Sequence, residues 1–123
     1  MKNLTASLED YLEIIYILSE KDGGSTGITN ISKALSLSKA SVNRAVNTLK
    51  DENLVTQEKY GKITLTQSGK EVAKMVYSRH KSLMGFLINV LKVDPKTAEE
   101  DACKIEHILS AKTMKKIVNF KSK

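Results

Sequence analysis

Thr29-Asn30-Ile31-Ser32-Lys33-Ala34-Leu35, the tripeptide Ser36-Leu37-Ser38, and Lys39-Ala40-Ser41-Val42-Asn43-Arg44-Ala45-Val46-Asn47-Thr48-Leu49 read as two short helices joined by a tight turn. Thr29 is placed to cap the first helix, whose apolar residues are Ile31, Ala34 and Leu35. Val42, Val46 and Leu49 make the core stripe of the second, and that stripe turns Lys39, Ala40, Asn43, Arg44 and Asn47 outward. No acidic residue occurs between Gly23 and Lys50, whereas Lys33, Lys39, Arg44 and Lys50 are all basic. A helix pair whose second member is polar and basic on its free face describes a helix-turn-helix, the element that enters a duplex major groove. The plainer alternative is a helical hairpin with a solvated face.

The next residues weigh against that alternative. Leu54-Val55-Thr56-Gln57-Glu58 and Lys62-Ile63-Thr64-Leu65-Thr66 flank Lys59-Tyr60-Gly61 as two short strands and a turn, and a hairpin after a helix-turn-helix makes a winged helix. Lys59, Tyr60 and Lys62 at its tip are candidate contacts to a phosphate backbone or minor groove. On the N-terminal side, Leu8, Tyr11, Leu12, Ile15 and Leu18 recur at helical spacing after a capping Ser7, and the helix stops near Lys21-Asp22-Gly23-Gly24. Asp10 and Glu13 lie beside its apolar side.

On the C-terminal side a long helix is expected from Ser68 to about Leu91, with Val72, Val76, His80, Leu83, Leu87 and Leu91 on one stripe. A histidine in such a row is a hydrogen-bonded core residue or a ligand. Asp94-Pro95 supplies a cap and a first-turn proline for a helix carrying Ala98, Ala102, Ile105 and Leu109 inward. Cys103, Glu106 and His107 flank this stripe at i, i+3 and i+4, so a thiol, a carboxylate and an imidazole converge at half-buried positions. Ser110 caps a last helix bearing Met114, Ile117 and Val118 against Lys112, Lys115, Lys116 and Lys121.

Composition narrows the function classes. A chain of 123 residues is about one domain by length and leaves no room for a second, catalytic domain. Its net charge of +6 suits an anionic partner, and its few aromatics favour a duplex over base-stacked single strands. One cysteine excludes an intramolecular disulfide, no apolar run approaches the ~20 residues of a membrane span, and no signal segment opens the chain, so a cytoplasmic protein is expected.

Taken together, Glu9-Asp10-Tyr11-Leu12-Glu13-Ile14-Ile15-Tyr16, Glu58-Lys59-Tyr60, Leu65-Thr66, Arg79-His80 and Ala102-Cys103-Lys104-Ile105-Glu106-His107-Ile108-Leu109-Ser110 resemble, in order and spacing, the diphtheria-toxin-repressor family of metal-dependent repressors. The likeness is greatest to its short manganese transport regulator branch. It implies a mostly α fold with a small β-wing: a winged-helix DNA-binding domain over residues 1–68 and a helical metal-binding and dimerisation domain over 69–123. It also implies a metal site of Asp10, Glu13, His80, Cys103, Glu106 and His107, the same six donors that lie next to the core stripes. Three half-buried carboxylates, a thiol and two imidazoles are costly together unless a cation neutralises them. The resemblance further implies base-reading positions near the start of the recognition helix, on Ser38, Ala40, Ser41 and Arg44. Manganese-type relatives carry a carboxylate where Cys103 stands, and iron-type relatives a methionine where Asp10 stands. The mixture points to Mn(II) or Fe(II), with Zn(II) and Co(II) as further candidates. An ancillary site of the iron-type branch maps onto Glu99, although Met84 stands where a glutamate is common. With the sequence ending at Lys123, the SH3-like domain of iron-type relatives is expected to be missing, and dimerisation to rest on the helices after Asp94.

The expected protein is therefore a homodimeric, metal-dependent repressor of metal-homeostasis genes that binds a palindromic double-stranded operator, with no membrane and no small-molecule substrate. The alternative is a metal-independent winged-helix regulator with Cys103 as redox sensor. A small metallohydrolase and a purely structural zinc site are weaker readings, since no segment remains to build a substrate pocket.

Overall fold

A computed structural model describes residues 5–58 and 61–120, and Lys59 and Tyr60 lie outside the described residues. Among the described residues six α-helices and one hairpin follow in order: α1 (Ala6–Lys21), α2 (Ile28–Leu35), α3 (Lys39–Asp51), β1 (Val55–Gln57), β2 (Ile63–Leu65), α4 (Gln67–Gly85), α5 (Pro95–Ile105) and α6 (Ala111–Val118). The chain divides into two compact units at Lys74/Met75, inside α4.

In the first unit α1 packs on α2, α3 and β2, and α3 packs on α2 and β1. Tyr11, Leu12 and Ile15 from α1, Ile31 from α2, Val42, Val46 and Leu49 from α3, and Leu54, Val55, Ile63 and Leu65 from the hairpin are buried. Each large aliphatic side chain removed from water in this way contributes about 1.5–3 kcal/mol. The turn between α2 and α3 works because Ser36 takes the left-handed conformation (φ 55°), closing α2 as Leu37 N–H bonds the Ser32 carbonyl at 3.1 Å. Ser38 then caps α3 by accepting from Ser41 N–H. The strands pair antiparallel, Val55 opposite Leu65 and Gln57 opposite Ile63, and Thr26 joins Ile63 as an isolated bridge. The result is a winged helix.

Two expected caps move. α1 starts two residues earlier, capped by Thr5 rather than Ser7, and α2 starts at Ile28 with Gly27 as an N-cap that makes no side-chain bond, rather than being capped by Thr29. Ala34 is exposed; α2 buries only Ile31 fully.

The second unit is built on Leu83, Leu87, Ala98, Ala102 and Met114, with Met84, Ile88, Val93, Ile105, Leu109 and Ile117 packed against them. The expected helix to about Leu91 is present, but it changes form: α4 ends at Gly85 and a π turn continues it over Phe86–Val90. Leu87 within the π turn stays buried, whereas Leu91, the residue that closes it ahead of the left-handed Lys92, is 55% exposed.

Candidate metal centre and DNA-reading face

His80 on α4 and Cys103 and Glu106 at the end of α5 come together, each offering a ligand atom within 4.8 Å of the others. Donors bound at about 2.0–2.3 Å to one ion stand at most roughly 4.6 Å apart, so an imidazole, a thiolate and a carboxylate at this spacing fit a divalent cation with little movement. Glu106 is 1% exposed. It caps the C-terminus of α5, where the carbonyl ends of the helix disfavour an anion, and burial disfavours it again. A counter-charge offsets both. His80 Nδ1 lies 2.6 Å from Glu106 Oε1, and on its other side Nε2 lies 2.9 Å from Glu99 Oε2. Burial of His80 works against its charged form, but the hydrogen bonds and charges of Glu106 and Glu99 outweigh that and raise its pKa above the usual 6.5.

The half-buried trio expected from i, i+3, i+4 spacing is only partly found. Cys103 is exposed, with its Sγ 3.6 Å from Glu99 Oε1, and Glu106 is buried. α5 stops at Ile105, which puts His107 in the turn beyond it: the ring is 6% exposed, with Nε2 4.0 Å from Glu106 Oε2, and it falls outside the group of converging donors. Asp10 and Glu13 lie half-buried on α1, in the first unit. Glu99, expected only in an ancillary role, is the residue that touches both His80 and Cys103. Met84 packs against the apolar core of its unit.

On α3, Ser38, Lys39, Ala40, Asn43, Arg44 and Asn47 are exposed and Ser41 is half-buried, so the expected reading face is free of the core. Lys62 is exposed at the start of β2.

Comparison with known proteins gives this arrangement a family. Residues 3–63 match the iron dependent repressor, N-terminal DNA binding domain, and residues 66–123 match the iron dependent repressor, metal binding and dimerisation domain. The chain is 36% identical over 120 residues to an uncharacterised HTH-type transcriptional regulator of Methanocaldococcus jannaschii, covering 98% of this chain and 96% of that one. It is 35% identical over 113 residues to the HTH-type transcriptional regulator MntR of Bacillus subtilis, covering 92% and 78%. The solved structure of the manganese regulator SloR matches with 33% identity and a TM-score of 0.79 over 89% of this chain and 51% of that one. That of T. acidophilum IdeR matches with 25% identity and a TM-score of 0.80 over 96% and 54%. The chain thus spans about half the length of these two solved relatives. The metal-independent alternative with Cys103 as redox sensor finds no support among these regulators. The chain belongs to the iron-dependent repressor family, whose members are metal-dependent, DNA-binding transcriptional regulators rather than enzymes.

Proposed function

We propose that the chain is a homodimeric repressor of metal-homeostasis genes, in which residues 1–68 read a palindromic operator and residues 69–123 bind metal and dimerise. The observation that carries this reading is the convergence of His80, Cys103 and Glu106 at ligand spacing, with a desolvated carboxylate that needs positive charge. Asp10 and Glu13, offered by the helix that packs on the helix-turn-helix, complete the proposed donor set together with His107. A divalent cation bound there would supply the positive charge that offsets these carboxylates and the thiolate. Asp10 and Glu13 suit Mn(II) or Fe(II), while Cys103 moves preference toward Fe(II), Co(II) or Zn(II). Two recognition helices held by a dimer would address half-sites in successive major-groove turns, ~34 Å apart. Such a protein works where its DNA is, in the cytoplasm. Among the described residues no helix is long and apolar enough to cross a membrane.

The test is DNA binding by the full chain titrated with Mn(II), Fe(II), Co(II) and Zn(II), on a duplex recovered from a random library. At least one metal should tighten binding by roughly 5–150-fold, the usual range of allosteric coupling. Asp10→Ala, Glu106→Ala and His107→Ala should each lose that response. Affinity indifferent to every metal would refute the sensing role.

A further inference from the structure

Arg44 stands almost diametrically opposite the Val42, Val46 and Leu49 stripe at the helical advance of about 100° per residue, so it occupies the middle of the exposed face of α3. Ala40, one turn earlier on the same line, carries only a methyl group, and the polar residues Asn43 and Ser41 lie to either side. A helix entering a major groove presents the middle of its free face to the base edges and its flanks to the phosphates.

The side chain is also aimed. Arg44 Nη2 donates to Ser41 Oγ at 3.2 Å; Ser41 Oγ accepts as well from the Ser38 hydroxyl at 3.0 Å, while Ser38 Oγ takes the Ser41 N–H at 3.1 Å. Ser38 is thus both the helix cap and the support of Ser41, and Ser41 is the support of Arg44. Among the described residues no carboxylate pairs with Arg44, so its charge is unspent while its direction is set by a neutral hydroxyl. With one Nη2 hydrogen on Ser41, the other Nη2 hydrogen and those of Nη1 remain as a parallel fork. That fork matches the two acceptors O6 and N7 that only guanine presents side by side in the major groove.

We propose that Arg44 reads a guanine in each half-site and that Ser41, braced by Ser38, is the positioning residue that holds its guanidinium for that contact. The inference rests on the reading that α3 enters the major groove, and it adds the base that Arg44 selects and makes Ser41 its support rather than a base contact. A phosphate can also take a guanidinium fork, but that contact would leave no trace in the sequence bound, which is what separates the two.

Selection of random duplexes by the full chain loaded with Mn(II) tests it, with Arg44→Ala, Arg44→Gln, Ser41→Ala and Ser41→Thr run beside the wild type. One guanine per half-site should be enriched by the wild type. Arg44→Ala should lose roughly tenfold or more of the discrimination at that base pair alone. Arg44→Gln should shift the preference there to adenine, whose N6 and N7 suit an amide. Ser41→Ala should weaken the guanine preference several-fold, by rough estimate from the loss of one hydrogen bond, with thermal stability and salt dependence unchanged, and Ser41→Thr should restore it. If Arg44→Ala weakens binding to all sequences alike and leaves the selected sequence as it was, Arg44 is a phosphate contact and the proposal is overturned. If the wild type selects no sequence at all, the DNA-reading function fails and the base assignment falls with it.

Discussion

Glu106 joins three conditions that rarely coincide: complete burial, a helix C-terminus and a 2.6 Å contact to an imidazole. In the metal-free protein the contact ties stability to the His80 proton. A histidine whose folded pKa is raised contributes stability that is fully present below its unfolded value near 6.5 and is lost as pH rises through the folded value. The imidazole of metal-free protein should therefore titrate above 6.5 by NMR, and Glu106→Gln should bring it down; a wild-type value below 6.5 would contradict the pairing described. Gly69 makes a different single-residue demand. A Cβ there would lie 1.9 Å from the Leu54 carbonyl oxygen, a backbone atom held in place because Thr66 N–H bonds it at 3.0 Å. Gly69→Ala should destabilise the winged helix by at least the roughly 1–3 kcal/mol of an overpacked site, read by chemical denaturation, although alanine is the better helix former.

At the scale of elements, capping explains where most helices begin. Ser110 accepts from Thr113 N–H at 3.1 Å at the start of α6, and Ser110→Ala should cost about 1 kcal/mol in unfolding free energy. Asp94 does the same for α5 through Thr97, and the bonds from Thr97 hold its carboxyl below the ordinary aspartate range. A carboxylate with a depressed folded pKa stabilises above its unfolded value and ceases to do so as pH falls through the folded one. The stability difference between wild type and Asp94→Ala should accordingly be constant above about pH 4 and shrink below it. The π turn at Phe86–Val90 was not legible in the same way. An apolar stripe through Leu83, Leu87 and Leu91 satisfies α-helical spacing, and only the packing of the second unit decides that Leu87 stays in and Leu91 goes out. Thr26 is a similar case: one residue bridging to Ile63 carries no alternation from which a strand could be read.

For the whole molecule, each unit possesses its own apolar core, and the core of the second unit consists of leucine, alanine and methionine side chains rather than of the metal donors. Removing metal should then abolish tight DNA binding while far-UV circular dichroism keeps its helical signal. Loss of that signal on chelation would instead indicate a structural ion whose binding is coupled to folding.

The fold class, the helix-turn-helix and the wing were determined by the sequence itself, because local periodicity, turn residues and a basic stretch without acidic residues from Gly23 to Lys50 are short-range properties. The same holds for the donor types His80, Cys103 and Glu106, which stand out by chemistry and spacing. Their geometry is another matter. That α5 ends at Ile105, leaving His107 in a turn, and that Glu99 reaches across to His80 and Cys103 were decided only in three dimensions. Where a helix stops and which rotamer meets which partner depend on contacts between residues far apart in the chain, and those contacts leave no period in the sequence.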